Sequence, residues 1–323
     1  MGIFDKFRKK KTGAQEIEQT PEKKQLEGPA LVGTNVLEPG PWKEWTPKPP
    51  VVYKLRNIVF WSMRILGGED MVIDRVGRHI YVCSDVLSIC RLDFDGNPDG
   101  LLRLPCGPLR PPVLRISHDG KLLVSNSWLY RVDPEGWVIS AVKSPDGAFD
   151  VSPDGTIVAV SRELDDGWKD FLRFVRGEKV HEVDVSAVMA HGHMLRYSSD
   201  GFLYVVGAPP HTDWVANTVF KFDPAGNLVN SCSIFMQIGA TCPTRDGEID
   251  VLELDGDRLV RLSREMKVVY DSRLDSRPET LLFQVRKEGL LLLWKAHAID
   301  TDDAGNCFVL AHDELMRFKR FWV

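Results

Sequence analysis

The sequence predicts an all-β protein: a six-bladed β-propeller with four-stranded blades, closed by an N-terminal strand. A unit of short apolar strands recurs six times, and each copy contains a turn that ends in glycine. The turn glycines lie 35 to 58 residues apart, at Gly77, Gly120, Gly155, Gly201, Gly247 and Gly305. A four-stranded propeller blade takes about 40–50 residues. The alternative, a sandwich of short strands, requires less periodicity than this chain has.

The repeat is clearest where the first two strands of a unit meet. LRISHDG, DVSPDG and LRYSSDG each end in Asp-Gly, and the apolar strands KLLVSN, TIVAVS and FLYVVG follow them. A two-residue Asp-Gly turn would supply the positive φ angles that a tight hairpin needs. Third strands such as TVFKFDPAG and fourth strands such as WVISAV complete the unit. The pattern therefore predicts antiparallel blades built from consecutive hairpins.

The last unit lacks its outer strand, which predicts how the ring closes. The sequence ends with LMRFKRFWV (315–323), which we assign to a third strand. The strand-like segment VVYKLRNIVF (51–60) precedes the first unit, and we expect it to pair there as the missing strand. The propeller then spans 51–323, and residues 1–50 form a separate lead-in.

Composition and charge narrow the classes of function. The chain has 323 residues, 43% of them apolar, and a net charge of −5. Residues 1–11 carry +4, so the remainder carries −9, which argues against a nucleic-acid partner. We find no secretory signal and no C-x-x-C spacing among the six cysteines. These features predict a cytoplasmic protein with reduced, mostly buried thiols.

The lead-in begins with MGIFDKFRKKK, which has the character of a short basic amphipathic helix. Such a segment can rest on an anionic membrane surface. This predicts peripheral association with the inner face of the membrane, and a disordered soluble tail is the alternative. Residues 12–30 are expected to be disordered, and the proline-rich segment 38–50 to form a strap. The predicted membrane contacts are Ile3, Phe4, Phe7, Arg8, Lys9 and Lys10.

Two phrases, HGHMLRYSSDGFLYVVG (191–207) and NTVFKFDPAGNLVNS (217–231), resemble the NHL-repeat and gluconolactonase-like (SMP-30-type) six-bladed propellers. The resemblance covers about residues 70–323. It implies a fold that hydrolases, lyases and binding scaffolds share. In the gluconolactonase branch it also implies a divalent metal held in the central channel. The Glu-Gly-Pro-x-Trp motif of that branch is matched only in part, by LEGPALVG (26–33).

One register of the repeat suggests a site at the channel mouth. Eight residues before the turn glycine, three blades carry Glu69, His193 and His297, while the other three carry Pro or Gly. We predict that these three side chains hold a divalent metal ion, since imidazole and carboxylate groups bind zinc and perform acid–base chemistry. A solvated polar rim is the alternative. The full set of predicted ligand-binding residues is Glu69, Asp70, Asn126, His191, His193, His211, His297 and His312.

Two functions follow, and the sequence does not decide whether the protein is an enzyme. The first is a binding or scaffolding propeller that docks a protein or a small ligand on one face. The alternative is a metal-dependent hydrolase or lyase of the gluconolactonase type that acts at the channel mouth. The incomplete acidic motif favours the first.

Overall fold

The computed structural model describes most of the chain from residue 51 to residue 318. The described ranges are 51–55, 58–65, 68–83, 88–103, 113–125, 128–133, 138–143, 148–163, 169–212, 215–244, 246–254, 258–272, 296–311 and 314–318. The predictions for the lead-in and for its membrane contacts lie outside these residues. Among the described residues, no helix is long and apolar enough to cross a membrane.

Six antiparallel sheets form the blades, as the sequence predicts. Blade 1 contains β3 Met71–Asp74, β4 His79–Cys83, β5 Ser88–Asp93 and β6 Pro98–Arg103; blade 2 contains β7 Val113–Ile116, β8 Leu122–Ser125, β9 Trp128–Val132 and β10 Val138–Lys143. Blade 3 contains β11 Phe149–Val151, β12 Ile157–Glu163, β13 Lys169–Arg176 and β14 Lys179–Asp184; blade 4 contains β15 Ala190–Tyr197, β16 Leu203–Ala208, β17 Thr218–Phe222 and β18 Leu228–Cys232. Blade 5 contains β19 Ile238–Pro243, β20 Ile249–Glu253, β21 Leu259–Leu262 and β22 Val268–Asp271; blade 6 contains β23 Ala296–Thr301, β24 Cys307–Ala311 and β25 Glu314–Phe318, with β2 Ile58–Arg64 and β1 Val51–Leu55 added at its outer side.

The ring closes through a strand from the N-terminal side, but the pairing differs in detail from the predicted one. β2 pairs antiparallel with β25, so that Phe60 lies opposite Phe318 and Arg64 opposite Glu314. The predicted segment 51–60 splits between two strands, because β1 folds back on β2 and adds a fifth strand to blade 6. The strand that closes the ring is therefore 58–64.

The inner strands β3, β7, β11, β15, β19 and β23 each contact the inner strands of both neighbouring blades. The apolar core lies in the spaces between blades. One cluster joins blades 6 and 1 through Phe308 and Ile80, and another joins blades 4 and 5 through Val219 and Val251. The side chains on the two faces of each sheet thus bury their apolar surface against the next sheet, which drives the ring together. Five described cysteines are free and buried, as expected: Cys83, Cys90, Cys232, Cys242 and Cys307.

The turns between first and second strands are longer than the predicted two-residue turns. In blade 2, Ser117 N–H donates to Lys121 O and Gly120 N–H donates to Ser117 O, which encloses a three-residue loop. The glycine has a φ of +76° there, and the corresponding glycines of blades 3 to 6 also have positive φ. This is the hairpin in which a type I turn precedes a residue in the left-handed region. In blade 1 the left-handed residue is Arg78, with φ +58°, rather than Gly77.

Candidate site in the central channel

The inner strands carry a ring of charged and polar side chains that face the channel. The position five residues before the left-handed glycine holds Arg115, Asp150, Arg196, Cys242 and Asp300 in blades 2 to 6. In blade 1, Asp70 and Arg75 flank the short strand β3 and take part in the same ring. Successive side chains of a strand point to opposite sides. The adjacent residues, such as Leu114 and Leu195, are accordingly buried between the blades.

Each junction between blades is bridged by one of these side chains. Three carboxylates accept a backbone N–H from the next blade: Asp300 from Ile73 at 3.0 Å, Asp70 from Leu114 at 2.9 Å and Asp150 from Tyr197 at 2.7 Å. Two guanidinium groups donate to a carbonyl of the next blade: Arg115 to Phe149 at 3.1 Å and Arg196 to Thr241 at 3.4 Å. Cys242 Sγ bridges the remaining junction, 3.5 Å from Asp300 Oδ1. The ring therefore fastens every blade to its neighbour at the channel wall.

Opposite charges in the ring are paired with one another. Arg115 lies between two carboxylates, 3.1 Å from Asp70 and 3.5 Å from Asp150, and Arg75 lies 3.3 Å from Asp300. Arg196 is 3.9 Å from Asp70. The three arginines thus balance the three aspartates.

Burial nevertheless disfavours the charged carboxylates. It raises the pKa of Asp150 to about 6, and the Arg115 guanidinium only partly opposes that rise. The pKa of Asp70 is raised for the same reason and is opposed by the same guanidinium. The protonation state of Asp150 therefore changes near pH 6.

A cavity of about 330 Å³ lies against this ring. It is on the side of the propeller formed by the turns between first and second strands, which we call the turn face. The residues of those turns line its rim, including Ser117, Ser152, Ser198 and Thr244. The three serines cap their own turns, as Ser117 does by accepting the Lys121 N–H at 3.1 Å. The polar side chains of the rim are thus used mainly for hydrogen bonds within their own turns.

Two groups in the cavity remain weakly engaged. Arg196 makes one long hydrogen bond and one loose ion pair, at 3.4 and 3.9 Å, although its side chain is only 14% exposed. Thr244 Oγ1 is buried and has no hydrogen-bond partner among the described residues. The cavity thus presents donors from Arg196 beside the acceptors of Asp150 and Asp300, while the Thr244 hydroxyl oxygen is inaccessible. A small polar ligand could bind there through hydrogen bonds to these donors and acceptors.

Some of the predicted site residues belong to the ring, and others lie on the face opposite the turn face, where the inner strands begin. Asp70 belongs to the ring. Glu69, His193, His211 and His297 are exposed. His191 has φ +56°, and its N–H donates to Asp170 Oδ2 at 2.7 Å. His193 Nδ1 lies 3.1 Å from the His191 carbonyl oxygen. Asn126 and His312 lie outside the described residues.

The structure does not gather the predicted metal ligands into a group. Among the described residues, no three His, Cys, Asp or Glu side chains are placed to hold a metal ion. This holds for Glu69, His193 and His297, all of which are described. The loops between second and third strands, which would complete a mouth on that side, are largely outside the described ranges: 84–87, 126–127, 164–168, 213–214, 255–257 and 312–313.

The sequence contained a signal for the ring, but at a different register. Counting back five residues from the turn glycine, rather than eight, gives Arg, Asp, Arg, Cys and Asp in five consecutive blades. Charged residues flanked by apolar ones within inner strands indicate positions that face a channel. The histidine register predicted above lies at the start of the inner strand, three residues before the register that forms the ring.

No family model and no curated protein matches this chain. Solved structures do match over most of its length. A gluconolactonase from Xanthomonas campestris is 14% identical, with a TM-score of 0.54, and the match covers 84% of this chain and 95% of that one. Virginiamycin B lyase from Staphylococcus aureus is 11% identical, with a TM-score of 0.52, and the match covers 80% of this chain and 98% of that one.

At these identities the likeness concerns the fold and leaves the reaction open. It agrees with the six sheets and the closed ring of inner strands described above. The resemblance predicted from the repeats is therefore confirmed in its structural part: the chain has the fold of the SMP-30-like six-bladed β-propellers.

Proposed function

We propose that this chain is a binding propeller whose ligand, a small polar molecule, occupies the cavity on the turn face of the central channel. The observation that carries the proposal is the charge-balanced ring beneath the cavity. Arg115 and Arg75 lie 3.1 to 3.5 Å from Asp70, Asp150 and Asp300, so each of these carboxylates already has a cation beside it. These carboxylates are held as interblade hydrogen-bond acceptors, so the ring is better suited to ordering a ligand than to coordinating a cation.

The cavity favours a ligand with both an anionic end and hydroxyl groups. Arg196 offers planar donors that suit a carboxylate. Asp150 and Asp300 offer acceptors for hydroxyl groups on the same side of the cavity. A hydroxy acid combines both features. Because the similar protein from Xanthomonas campestris is a gluconolactonase, gluconate is a reasonable first probe.

The proposal is tested by measuring gluconate and related hydroxy acids by thermal shift and calorimetry on the full chain. We expect Arg196→Met to weaken binding at least about tenfold, since a hydrogen bond to a charged group is worth roughly 1.5–3 kcal/mol. Arg173→Met is the matched control, because Arg173 pairs with Glu182 on the outer part of blade 3. Equal binding by both variants would overturn the assignment of the ligand to this cavity.

The metal-dependent hydrolase or lyase stays the alternative, with its site on the opposite face. Metal analysis of the purified protein separates the two functions. The binding function predicts no stoichiometric divalent ion. A tightly bound ion that is lost in a His193→Ala/His297→Ala double variant would favour the hydrolase instead.

A further inference from the structure

A second cavity, of about 350 Å³, lies between blades 3 and 4 on the turn face. It adjoins the channel cavity, and both are lined by Ser152, Pro153, Tyr197 and Ser199. Its remaining walls come from the hairpin turns of the two blades and from β13. It is thus a lateral pocket of the same face, distinct from the central channel.

Part of the wall of this lateral pocket is aromatic and apolar. Phe174 of β13 and Tyr197 of β15 line it, together with Pro153 and Pro224. Phe174 is 8% exposed and Val183 packs on the same side, near the turn at Gly226. Packing in the core of the blades therefore fixes the positions of these two aromatic rings.

Two carboxylates stand at the edge of the same pocket. Asp154 accepts hydrogen bonds from the Ser152 hydroxyl and, at 3.1 Å, from the Thr156 N–H. Asp200 accepts the corresponding bond from the Ser198 hydroxyl. These bonds lower the pKa of Asp154 to about 2, so this group is ionised at neutral pH.

The cations nearby leave this charge only weakly compensated. Arg176 reaches Asp154 at 3.2 Å, but the two side chains are 69% and 56% exposed, and such surface pairs contribute little. The Lys221 ammonium donates to Arg264 O at 2.6 Å and lies 4.1 Å from the Phe202 ring centroid. It is therefore bound to a carbonyl of blade 5 and an aromatic ring of blade 4, and it compensates part of the charge of Asp200 but not that of Asp154. No lysine or arginine lines the pocket.

From this combination we propose that the lateral pocket binds a small organic ammonium ion, with its methylated head between Phe174 and Tyr197 and its charge facing Asp154 and Asp200. Aromatic faces attract cations electrostatically, and the attraction increases when water is excluded. A methylated ammonium also makes apolar contact with the two prolines. The inference goes beyond the proposed function, since it concerns a different cavity and different residues.

The test compares choline with 3,3-dimethylbutan-1-ol, its neutral isostere, by calorimetry and ligand-observed NMR on the full chain. For a ligand of this size we expect a dissociation constant of about 1 mM for choline. The isostere should bind about tenfold more weakly. Equal affinity of the two compounds, or no detectable binding of choline at tens of millimolar, would overturn the proposal.

Variants assign the binding to the pocket. Asp154→Asn and Asp200→Asn should each weaken choline binding several-fold. Asp119→Asn is the matched control: Asp119 accepts the Ser117 hydroxyl at the same turn position in blade 2 but does not line the pocket. If all three variants bind choline equally well, the pocket is not the site. Thermal unfolding of the three checks that each is folded, and Arg196→Met should leave choline binding unchanged, which separates this test from that of the channel cavity.

Discussion

Replacing Arg115 with methionine tests whether the ring of interblade bonds stabilises the propeller. The Arg115 side chain is 6% exposed and lies within 3.5 Å of both Asp70 and Asp150. Methionine keeps much of the side-chain volume but removes the nearest cation from two buried carboxylates, and Asp70 then has Arg196 at 3.9 Å. Breaking a buried ion pair from one side costs about 3–5 kcal/mol. We expect a loss of this size in the free energy of unfolding at pH 7.

Urea denaturation followed by fluorescence measures the loss. Arg131→Met is the matched control, because Arg131 pairs with Asp119 at a position where its side chain is 42% exposed. Exposed pairs contribute about 0–1 kcal/mol. The loss in Arg115→Met should shrink at pH 4, where the two aspartates can take up protons. If both variants lose the same small amount at pH 7, the ring contributes no special stability and the reasoning fails.

Four further predictions follow from the same structure and sequence. Because burial raises the folded-state pKa of Asp150 from 3.8 to about 6, its ionisation destabilises the fold progressively as pH rises from about 4 to above 6. Asp150→Asn should flatten this part of the plot of unfolding free energy against pH, by up to roughly 3 kcal/mol. If urea titrations give parallel plots for the wild type and the variant, the raised pKa does not belong to Asp150. Deleting 51–64 removes both strands outside β25 and should expose an edge that promotes association; a monomeric variant of full stability in size-exclusion chromatography would argue against it. Removing residues 1–11 should abolish weak, salt-sensitive co-sedimentation with anionic vesicles, and unchanged co-sedimentation would reject the membrane role. If the histidines on the opposite face form a metal site, His193→Ala with His297→Ala should abolish metal uptake, and uptake by the double variant equal to that of the wild type would exclude them as ligands.

The strand pattern could be predicted from sequence because it depends on local chemistry. Apolar alternation and turn residues fix where a strand begins and ends, and these are visible within a few residues. The exceptions are also local. The repeat predicts Gly77 as the turn residue of blade 1, but the hairpin there has one more loop residue, so Arg78 occupies the left-handed position. Loop length depends on how the two strands pair, which the letters alone do not specify.

The site was harder to predict because its groups are distant in sequence. Arg115 and Asp150 lie on different blades and meet only when the inner strands pack around the channel. Whether the residues aligned with His193 or those aligned with Arg196 form a site depends on which end of the inner strand borders a cavity. A sequence supplies the residues at both ends and gives no measure of the space between blades.

The number of blades, the antiparallel hairpins and the closure by an N-terminal segment follow from the sequence, because repeated local patterns and an incomplete last unit allow little else. Which charges meet is fixed only when the blades pack into a ring. Packing brings the three arginines to the three aspartates, at blade junctions for Arg75 and Arg115 and between non-adjacent blades for Arg196 and Asp70, and it places Phe174 and Tyr197 beside Asp154 and Asp200. The physical reason is that electrostatic and cation–aromatic interactions depend on distances of a few ångströms between residues that the chain separates by tens of positions.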